Sequence, residues 1–450
     1  MEKETDVLVV GACTAGLYFA GLMAQKGFRV LVCDRSSTAD LGCRYDIIHI
    51  GEEYFSRFGL PKPGPGDEDY VDTFHKTTLV SALNKYPKNA SADVLVLRRV
   101  PLMRRLAAWA RSCGAEIMFE TEFTTPLFNG AGKLCGALLR KDGMDFHVKA
   151  RLTADASGIG AAVRVKLPNG YGVENFVTGP RDQFYVVLRY VKLENPAVDK
   201  PRFTKTWPYY KTWIAPQLEM DGAILGIGAN LSFAYAKRCW EQFCTKGFLP
   251  EYEMQYIEQS STPYRRPPYS FVADGFVVLG DAACITNPWS GEGVPYAWLL
   301  CSIAAEEFAE AMKNNAYPTQ TAVWDVNTRY QRSQGAEFAQ NLAMLPGAVA
   351  CTPEENDYEF ANSIVFEDEN EKGKHNIVLG LLKGVLSGGI SFRSLTNLIK
   401  AAGMGGKIFK HYRFFPKKPT DFNAWTAAAD VLWSKTRSMA GLAERDSEET

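Results

Sequence analysis

The sequence has no excess of charge of either sign and no long apolar run. Its 450 residues carry 50 lysines and arginines against 51 aspartates and glutamates, so nothing global indicates a nucleic-acid partner. The longest apolar stretch, Tyr296 to Ala305, ends at two glutamates and falls short of the roughly 18 residues that a membrane span needs. The first six residues lead directly into an apolar strand, unlike a secretory signal. We therefore expect a cytoplasmic protein.

Paired cysteine motifs are also absent. The ten cysteines are scattered, with no CxxC spacing and no clustering with the five histidines. This pattern argues against a disulfide framework and against a zinc site, and it is typical of a reducing compartment. No Ser-His-Asp order and no His-Glu cluster indicates another mechanism. We predict that the protein has no metal site.

A dinucleotide-binding fingerprint lies at the start of the chain. The apolar run Val7–Val10 predicts a strand buried on both faces, and the turn Gly11–Gly16 leads into a helix. A second strand, Val30–Cys33, ends at Asp34–Arg35, which places an acid where it would bond a ribose hydroxyl. Cys13 stands where this fingerprint normally has its middle glycine. The surrounding strand, helix and acid favour a dinucleotide site over a turn without a ligand.

The stretch from Val277 to Gly293 indicates the same chemistry. An apolar strand ends at Gly280–Asp281, a loop follows with Pro288 and Gly291–Gly293, and a helix then begins. Open α/β sheets bind ligands at the carboxyl ends of their strands, where a helix N-terminus adds positive potential. We therefore predict a flavin here. Unpaired N–H groups of the first helical turn, which contains Pro295, would favour the negative charge of the reduced flavin.

The remaining segments indicate the architecture. Residues 36–87 lack clear periodicity and predict mostly loop with a short helix near 53–58. Segments 183–193, 205–216 and 223–231 are rich in β-branched and aromatic residues and predict antiparallel strands. We predict an α/β fold with a Rossmann-like FAD-binding domain (1–170 and 265–315), an inserted antiparallel β-sheet substrate domain (171–264) and a helical C-terminal region (316–450).

Together these motifs resemble those of FAD-dependent oxidoreductases of the p-hydroxybenzoate hydroxylase fold, and within them the geranylgeranyl reductase family. The resemblance includes Ala154–Gly158 followed by Arg164. It implies that Asp281 holds the ribityl chain, that the glycine-rich loop holds the pyrimidine edge of the ring, and that Arg99, rather than Arg98, reaches the cofactor. The residues predicted to bind FAD are Gly11, Cys13, Ala15, Gly16, Asp34, Arg35, Arg99, Asp155, Gly280, Asp281, Pro288, Gly291 and Gly293.

The family also carries a substrate-sheet motif, Tyr-x-Trp-x-Phe-Pro. The corresponding stretch keeps Trp213 and Pro216, while Lys211 replaces the tyrosine and Ala215 the phenylalanine. The resemblance implies substrate contacts for Trp213, Lys211 and Pro216, with Lys211 suited to a carboxylate or phosphate. A core aromatic for Trp213 and a solvated strand lysine for Lys211 are the alternatives. Cys43, near a family cysteine position, is the catalytic candidate, although we favour a buried apolar role for it.

These expectations define one leading function and several alternatives. We expect an FAD-dependent reductase or dehydrogenase acting on a carbon–carbon double bond of a largely apolar, isoprenoid-like or aromatic substrate. The flavin would supply hydride from N5, and an acid or water the proton. The alternatives are an FAD monooxygenase using NAD(P)H and oxygen, a flavin-dependent halogenase, and a flavin-binding protein without catalysis. NAD(P)H or a ferredoxin-like protein would donate electrons.

One basic, aromatic run remains outside this scheme. We interpret Lys407–Lys418 as a solvated basic face with an anchored aromatic side. Docking of an acidic electron donor or of a membrane surface is the alternative interpretation.

Overall fold

The computed structural model describes residues 2–42, 46–195, 203–204, 210–217, 221–371, 373 and 375–448. The strands are β1 (Glu2–Glu4), β2 (Val7–Val10), β3 (Val30–Cys33), β4 (Ile47–Gly51), β5 (Tyr70–Val80), β6 (Pro87–Arg98), β7 (Glu116–Met118), β8 (Thr121–Phe128), β9 (Leu134–Lys141), β10 (Met144–Lys149), β11 (Leu152–Asp155), β12 (Gln183–Leu193), β13 (Phe203–Thr204), β14 (Tyr210–Gln217), β15 (Gly222–Ala229), β16 (Tyr252–Pro263), β17 (Val272–Ala273) and β18 (Phe276–Val278). The helices are α1 (Thr14–Gln25), α2 (Glu52–Arg57), α3 (Arg99–Ser112), α4 (Phe233–Cys244), α5 (Val294–Ala311), α6 (Asp325–Tyr330), α7 (Ala336–Ala348), α8 (Pro353–Ala361), α9 (Ile377–Ser387), α10 (Phe392–Arg413) and α11 (Phe422–Glu448).

The central sheet has six strands in the order β17-β18-β11-β2-β3-β7. All neighbours from β18 to β7 run parallel, and every residue of β2, β3 and β11 is buried. Helix α1 packs on β2 and β3 and against α3 and α5, while β9 packs against β11. Cover on both faces explains why these strands are continuous apolar runs, as the sequence predicts.

A second sheet, in the order β1-β10-β9-β8, lies beside the central one. Its β9–β10 hairpin turns at Asp142 and Gly143, whose φ angles are +51° and +76°. Two consecutive residues of positive φ define the hairpin turn that an Asp-Gly pair favours.

The third sheet is antiparallel, in the order β14-β15-β12-β16. One face is covered by α4, whose buried Trp240 and Phe243 pack among residues such as Leu225 and Ile227. The opposite face packs on β4 and β6 through residues that include Tyr190 and Ile224. The predicted antiparallel sheet is therefore present, and its two faces have different neighbours.

Residues 36–87 differ from the sequence expectation of mostly loop. They contain β4, the long strand β5 and the start of β6, which pair in the order β13-β5-β6-β4. The predicted short helix is present as α2. Strand β5 escaped recognition because its register shifts twice, between Tyr70 and Asp72 and between Phe74 and Lys76, and each bulge interrupts the period of two.

The C-terminal region is helical, as predicted. Helices α7, α10 and α11 enclose an apolar cluster that contains Ile408, Tyr412, Phe415 and Trp425. Within the described part of the chain, none of the helices has both the length and the apolar character that crossing a bilayer requires.

Candidate flavin and substrate site

Three motif loops meet at one edge of the central sheet. Strands β2, β11 and β18 are adjacent and parallel, with Asp155 level with Val10 on one side and Val278 on the other. The loops that begin at Gly11, Ala156 and Leu279 therefore leave the sheet side by side. This carboxyl edge is where open α/β sheets bind their ligands.

The Gly11 turn makes the closest backbone approach of the site. Gly11 has φ of +106°, and a Cβ there would lie 2.3 Å from the Ala156 carbonyl oxygen. A Cβ at Gly16 would lie 2.0 Å from the Gly11 carbonyl oxygen. Both distances are below any real Cβ contact, so the fingerprint needs glycine at both positions.

Cys13 explains how the fingerprint tolerates a side chain at its middle position. Its φ of −92° is ordinary for any residue, and its Sγ donates to the Ala156 carbonyl at 3.2 Å. Burial raises the pKa of the thiol to about 11, so it stays neutral near neutral pH. The α1 N-terminus thus keeps its positive potential without a thiolate beside it.

Asp34 closes the fingerprint at the end of β3. Its carboxylate accepts hydrogen bonds from the N–H groups of Ala12 at 2.7 Å and Ser36 at 2.8 Å. Four lone-pair sites on a carboxylate leave acceptor capacity for a ribose hydroxyl. Arg35 is exposed beyond the strand end, and its contact with the cofactor stays a prediction.

Asp155 shapes the second loop. It is fully buried and accepts from Ser157 N and Oγ, at 3.1 and 2.6 Å, and from Val163 N and Arg164 N, at 3.0 and 2.7 Å. Burial raises the pKa of this carboxyl, although the hydrogen bonds oppose the shift. Because both oxygens are bonded within the loop, Asp155 fixes its course, and a direct contact with the cofactor stays a prediction.

Arg164 links the second loop to the third. Its guanidinium donates to the carbonyls of Ala282, Glu174 and Phe176 at 3.0, 3.0 and 2.8 Å, and the side chain is fully buried. The sequence placed Arg164 in the motif without a role. In the structure, the Arg164 side chain connects the loop that follows β11 to the loop that follows β18.

The third loop brings Asp281 to the start of α5. Gly280 has φ of +59°, and a Cβ there would lie 3.1 Å from that of Ala15 on α1. The partly buried Asp281 carboxylate lies at the α5 N-terminus, since a Cβ on Gly293 would be 3.7 Å from its Oδ1. Helices α1 and α5 therefore both begin at this edge of the sheet.

The glycine-rich loop between Asp281 and α5 is tightly turned. Asn287 N donates to the Glu292 carbonyl, and Gly291 N to the Asn287 carbonyl, both at 2.8 Å. Gly291 is exposed with φ of +80° and open space around its α-carbon. Such a loop can accept the flat edge of a ring without steric conflict. Pro295 lies in the first turn of α5, as predicted.

Of the two candidate arginines, Arg98 is engaged elsewhere. Its Nη1 pairs with the Asp46 carboxylate at 3.1 Å. Arg99 begins α3, and its Cγ would lie 3.6 Å from a Cβ on Gly42. Its role at the cofactor stays a prediction. Cys43 lies outside the described residues.

Lys211 and Trp213 lie on the face of the antiparallel sheet that α4 does not cover. They are two residues apart on β14 and pair with Gly228 and Gly226 of β15. A Cβ at Gly226 would lie 1.9 Å from the Trp213 ring, and one at Gly228 would lie 2.1 Å from the Phe184 ring. Both aromatic rings therefore contact glycine backbone that no side chain covers.

Lys211 joins this face to the glycine-rich loop. Its Nζ donates to the carbonyls of Pro288 at 3.1 Å and Trp289 at 2.6 Å. A bond of 3.0 Å between the hydroxyls of Thr262 and Thr286 makes a second connection. Burial lowers the pKa of Lys211 to about 8. The interpretation of Lys211 as a solvated strand residue is therefore wrong. The side chain of Pro216, on the same strand, is not among the described ones.

Comparisons with known proteins agree with this geometry. Residues 4–209 match the family model described as an FAD binding domain. A digeranylgeranylglycerophospholipid reductase of Sulfolobus acidocaldarius is 23% identical, with 98% of this chain and 100% of that protein covered. A geranylgeranyl bacteriochlorophyll reductase-like protein of Thermoplasma acidophilum has a TM-score of 0.72 at 16% identity, covering 89% of this chain and 100% of the other. A myxobacterial chondrochloren halogenase shares the fold, with a TM-score of 0.61 at 16% identity and 89% and 97% covered.

The fold, the three loops and the matched domain define an FAD-dependent oxidoreductase, which confirms the predicted cofactor and class. The chain is similar to proteins of the geranylgeranyl reductase family of these enzymes, as its motifs indicate. The site fits the cofactor, because two helix N-termini and a glycine turn that no side chain could enter meet at one edge.

Proposed function

We propose that the protein reduces carbon–carbon double bonds in the isoprenoid chain of a polar lipid. The observation that carries the proposal is the Lys211 connection, which brings the Trp213 face against the glycine-rich loop. That face is apolar, with Val186, Leu188 and Trp213 in one cluster. An extended hydrocarbon chain fits such a surface, and the relatives named as digeranylgeranylglycerophospholipid reductases support this substrate class.

Bound FAD would supply the hydride in its reduced form, and one alkene carbon would take it while the other takes a proton. The residues of the protein itself would bind and orient the cofactor and the substrate. The Gly11 turn and Asp34 would bind the adenosine end, Asp281 the ribityl chain, and the loop of Pro288, Gly291 and Gly293 the ring. The α5 N-terminus would stabilise negative charge on the reduced ring. Trp213 would exclude water and align the substrate chain.

Lys211 has a positioning role in this proposal. Its ammonium uses two of its three N–H groups on loop carbonyls, which fixes the distance between sheet and loop. The third N–H is available to a polar headgroup or a water on the Trp213 face. The motif predicts direct contact between Lys211 and a substrate carboxylate or phosphate. The two hydrogen bonds to the loop give Lys211 a structural role in addition.

The test is anaerobic. Protein with bound FAD is reduced by dithionite and mixed with a geranylgeranyl ether lipid in detergent. The mass of the lipid product is then measured by mass spectrometry. A gain of two hydrogens per double bond supports the proposal. Rapid bleaching by NADPH, followed by oxygen insertion into the product once air is admitted, would contradict it and favour a monooxygenase.

Parallel arms of the same experiment address the electron donor and the halogenase alternative. NADPH and reduced ferredoxin are each offered in place of dithionite, and whichever sustains turnover is the donor class. Flavin-dependent halogenases of this fold carry Trp-x-Trp-x-Ile-Pro at this position, and this chain has Lys211 and Ala215 in place of the first Trp and the Ile. Adding halide and oxygen with an aromatic acceptor should therefore give no halogenated product. The cytoplasmic location and the three-domain division remain predictions alongside this proposal. Peripheral contact with a membrane, which a lipid substrate favours, is part of it.

A further inference from the structure

A charge asymmetry sets part of the C-terminal region apart. Between Lys372 and Thr420 the sequence has ten lysines and arginines and no aspartate or glutamate, whereas the whole chain has a net charge of −1. This segment contains α9 and α10. A surface of this composition attracts an anionic partner and repels a cationic one.

Helix α9 turns an apolar face away from the protein. Val378, Leu382 and Leu386 follow each other at four-residue spacing and are 67%, 54% and 88% exposed. The opposite side is fixed to the body, because Gly384 is buried and a Cβ there would lie 2.7 Å from the Tyr358 ring. Close packing through glycine on one side thus leaves the large aliphatic side chains in solvent on the other.

Helix α10 is in contact with α9 and carries further exposed apolar side chains and exposed lysines. Phe392 and Ile399 are 76% and 61% exposed and lie seven residues apart on one side of the helix. Lys400 and Lys407 are exposed along the adjoining strip. Ile408 on the far side is buried in the C-terminal cluster. The solvent-facing side of α10 therefore carries both apolar and basic side chains.

This combination fits a lipid surface better than a protein. Large exposed apolar patches mark interaction sites, and apolar side chains bordered by lysine are typical of helices that lie in the membrane interface. Helix α9 has 11 residues, which is about 16 Å of helix and too short to span a bilayer. An acidic protein would be attracted by the lysines but would not explain a row of protruding aliphatic residues.

We infer that α9 and the outer side of α10 dock on the surface of an anionic phospholipid bilayer. The Val378, Leu382 and Leu386 side chains enter the boundary between headgroups and acyl chains, and Lys400 and Lys407 lie over lipid phosphates. The purpose of this docking rests on the proposed function, since a lipid substrate is reached from a bilayer. The inference of a docking surface follows from the exposure of these side chains and the charge of the segment, and neither depends on the proposed function.

The experiment measures binding of the full chain with FAD to vesicles by sedimentation. Wild type is expected to bind vesicles of phosphatidylcholine with a quarter phosphatidylglycerol, and to bind less at high salt. The double variant L382E/L386E should bind about tenfold more weakly or worse, because two apolar insertions are lost. The double variant K400E/K407E should lose the preference for anionic over pure phosphatidylcholine vesicles.

Matched controls use exposed residues elsewhere. Met144 on β10 is 70% exposed, so M144E repeats the apolar-to-acidic change away from this surface, and K26E repeats the charge reversal after α1. Both should bind like wild type, and all variants should retain FAD and the wild-type Tm. The inference is overturned if wild type does not bind anionic vesicles, or if L382E/L386E binds them as tightly as wild type does.

Two further outcomes would also overturn it. A dimer that L382E/L386E converts to monomer, with vesicle binding unchanged, would make the face an interface between copies. Loss of vesicle binding in K400E/K407E with full binding in L382E/L386E would indicate charge attraction alone, as for an acidic protein. Failure of the proposed function is separate: no reduction of detergent-solubilised lipid, with vesicle binding intact, contradicts the activity and leaves the docking surface standing.

Discussion

Glycine serves different purposes in the two halves of the site. At the cofactor edge, Gly11 brings backbone against backbone, with the Ala156 carbonyl 2.3 Å from any added Cβ. On the substrate sheet, Gly226 brings backbone against an aromatic ring, with Trp213 at 1.9 Å. The first contact depends on main-chain geometry alone, while the second depends on which side chain faces the glycine. A cofactor edge of this kind can stay constant while the substrate sheet changes.

The substrate sheet shows such a change at Lys211. The family motif has tyrosine there, and the lysine places a buried ammonium between β14 and the carbonyls of Pro288 and Trp289. The link between sheet and loop is therefore made by a side chain, whereas Gly11, Gly16 and Gly280 shape the cofactor loops through their backbone. Substitutions in the two halves should consequently have separable effects on FAD retention and on substrate turnover.

The largest effect is expected for Gly11→Ala. The added Cβ meets the Ala156 carbonyl, and a φ of +106° is strained for alanine, so we expect a loss of about 3 kcal/mol or more in the free energy of unfolding. The protein should purify without FAD. Urea unfolding and the ratio of flavin to protein absorbance measure both effects.

Gly160→Ala is the matched control, because nothing lies within 4 Å of its added Cβ and its φ is not positive. It should retain FAD and stability. Full FAD occupancy in Gly11→Ala would show that the close approach is not needed for the cofactor.

Asp281→Asn should have the next largest effect, confined to the cofactor. Loss of a charged acceptor at the α5 N-terminus should weaken FAD binding by about tenfold to a hundredfold. The apoprotein is titrated with FAD and followed by flavin fluorescence. Asp145→Asn, on the exposed β9–β10 hairpin, should bind FAD normally. Equal affinities of the two variants would contradict the role given to Asp281.

The cofactor edge was predictable because its signals are local. Val7–Val10, Gly11 and Asp34 follow each other within one βαβ unit, and α5 begins at Val294, after one loop that follows Gly280–Asp281. Backbone geometry that a short segment determines can be inferred from that segment. The fingerprint and helix α5 are accordingly where the sequence placed them.

The substrate half depends on contacts between distant segments. Lys211 meets carbonyls 77 and 78 residues away, and nothing in its own strand indicates that they are there. The stacking of Trp213 on Gly226 follows from strand register, which the sequence does not define. Strand β5 was missed because two bulges break its alternation, although it builds the sheet that faces Trp213.

Gly226→Ala should change substrate turnover while FAD retention stays normal. Its Cβ would displace the Trp213 ring, at a cost of about 1–3 kcal/mol in unfolding free energy, and lower kcat/KM for the lipid. In a Trp213→Leu background the same glycine change should cost less, because the ring is gone. A double-mutant cycle of unfolding free energies measures this coupling. Additive costs would mean that the ring does not rest on Gly226.

The smallest predicted effect is the pH dependence that Lys211 contributes to stability. Burial lowers the pKa of its ammonium to about 8, from 10.5 when unfolded, so between these values the unfolded chain binds more protons. Stability from this group therefore rises as pH increases through about 8 and levels off near the unfolded value. Lys211→Met removes the titration. Urea unfolding at pH 7 and pH 10 should show about 2 kcal/mol more alkaline gain in wild type than in the variant.

Lys237→Met is the control for this comparison, since Lys237 is an exposed lysine on α4 and should leave the pH dependence unchanged. FAD affinity adds a second readout, because loss of the bonds to Pro288 and Trp289 frees the glycine-rich loop from the sheet. Lys211→Met should therefore bind FAD slightly more weakly and turn over lipid much more slowly. A variant with normal turnover but altered pH dependence would show that the lysine is buried there without positioning the loop.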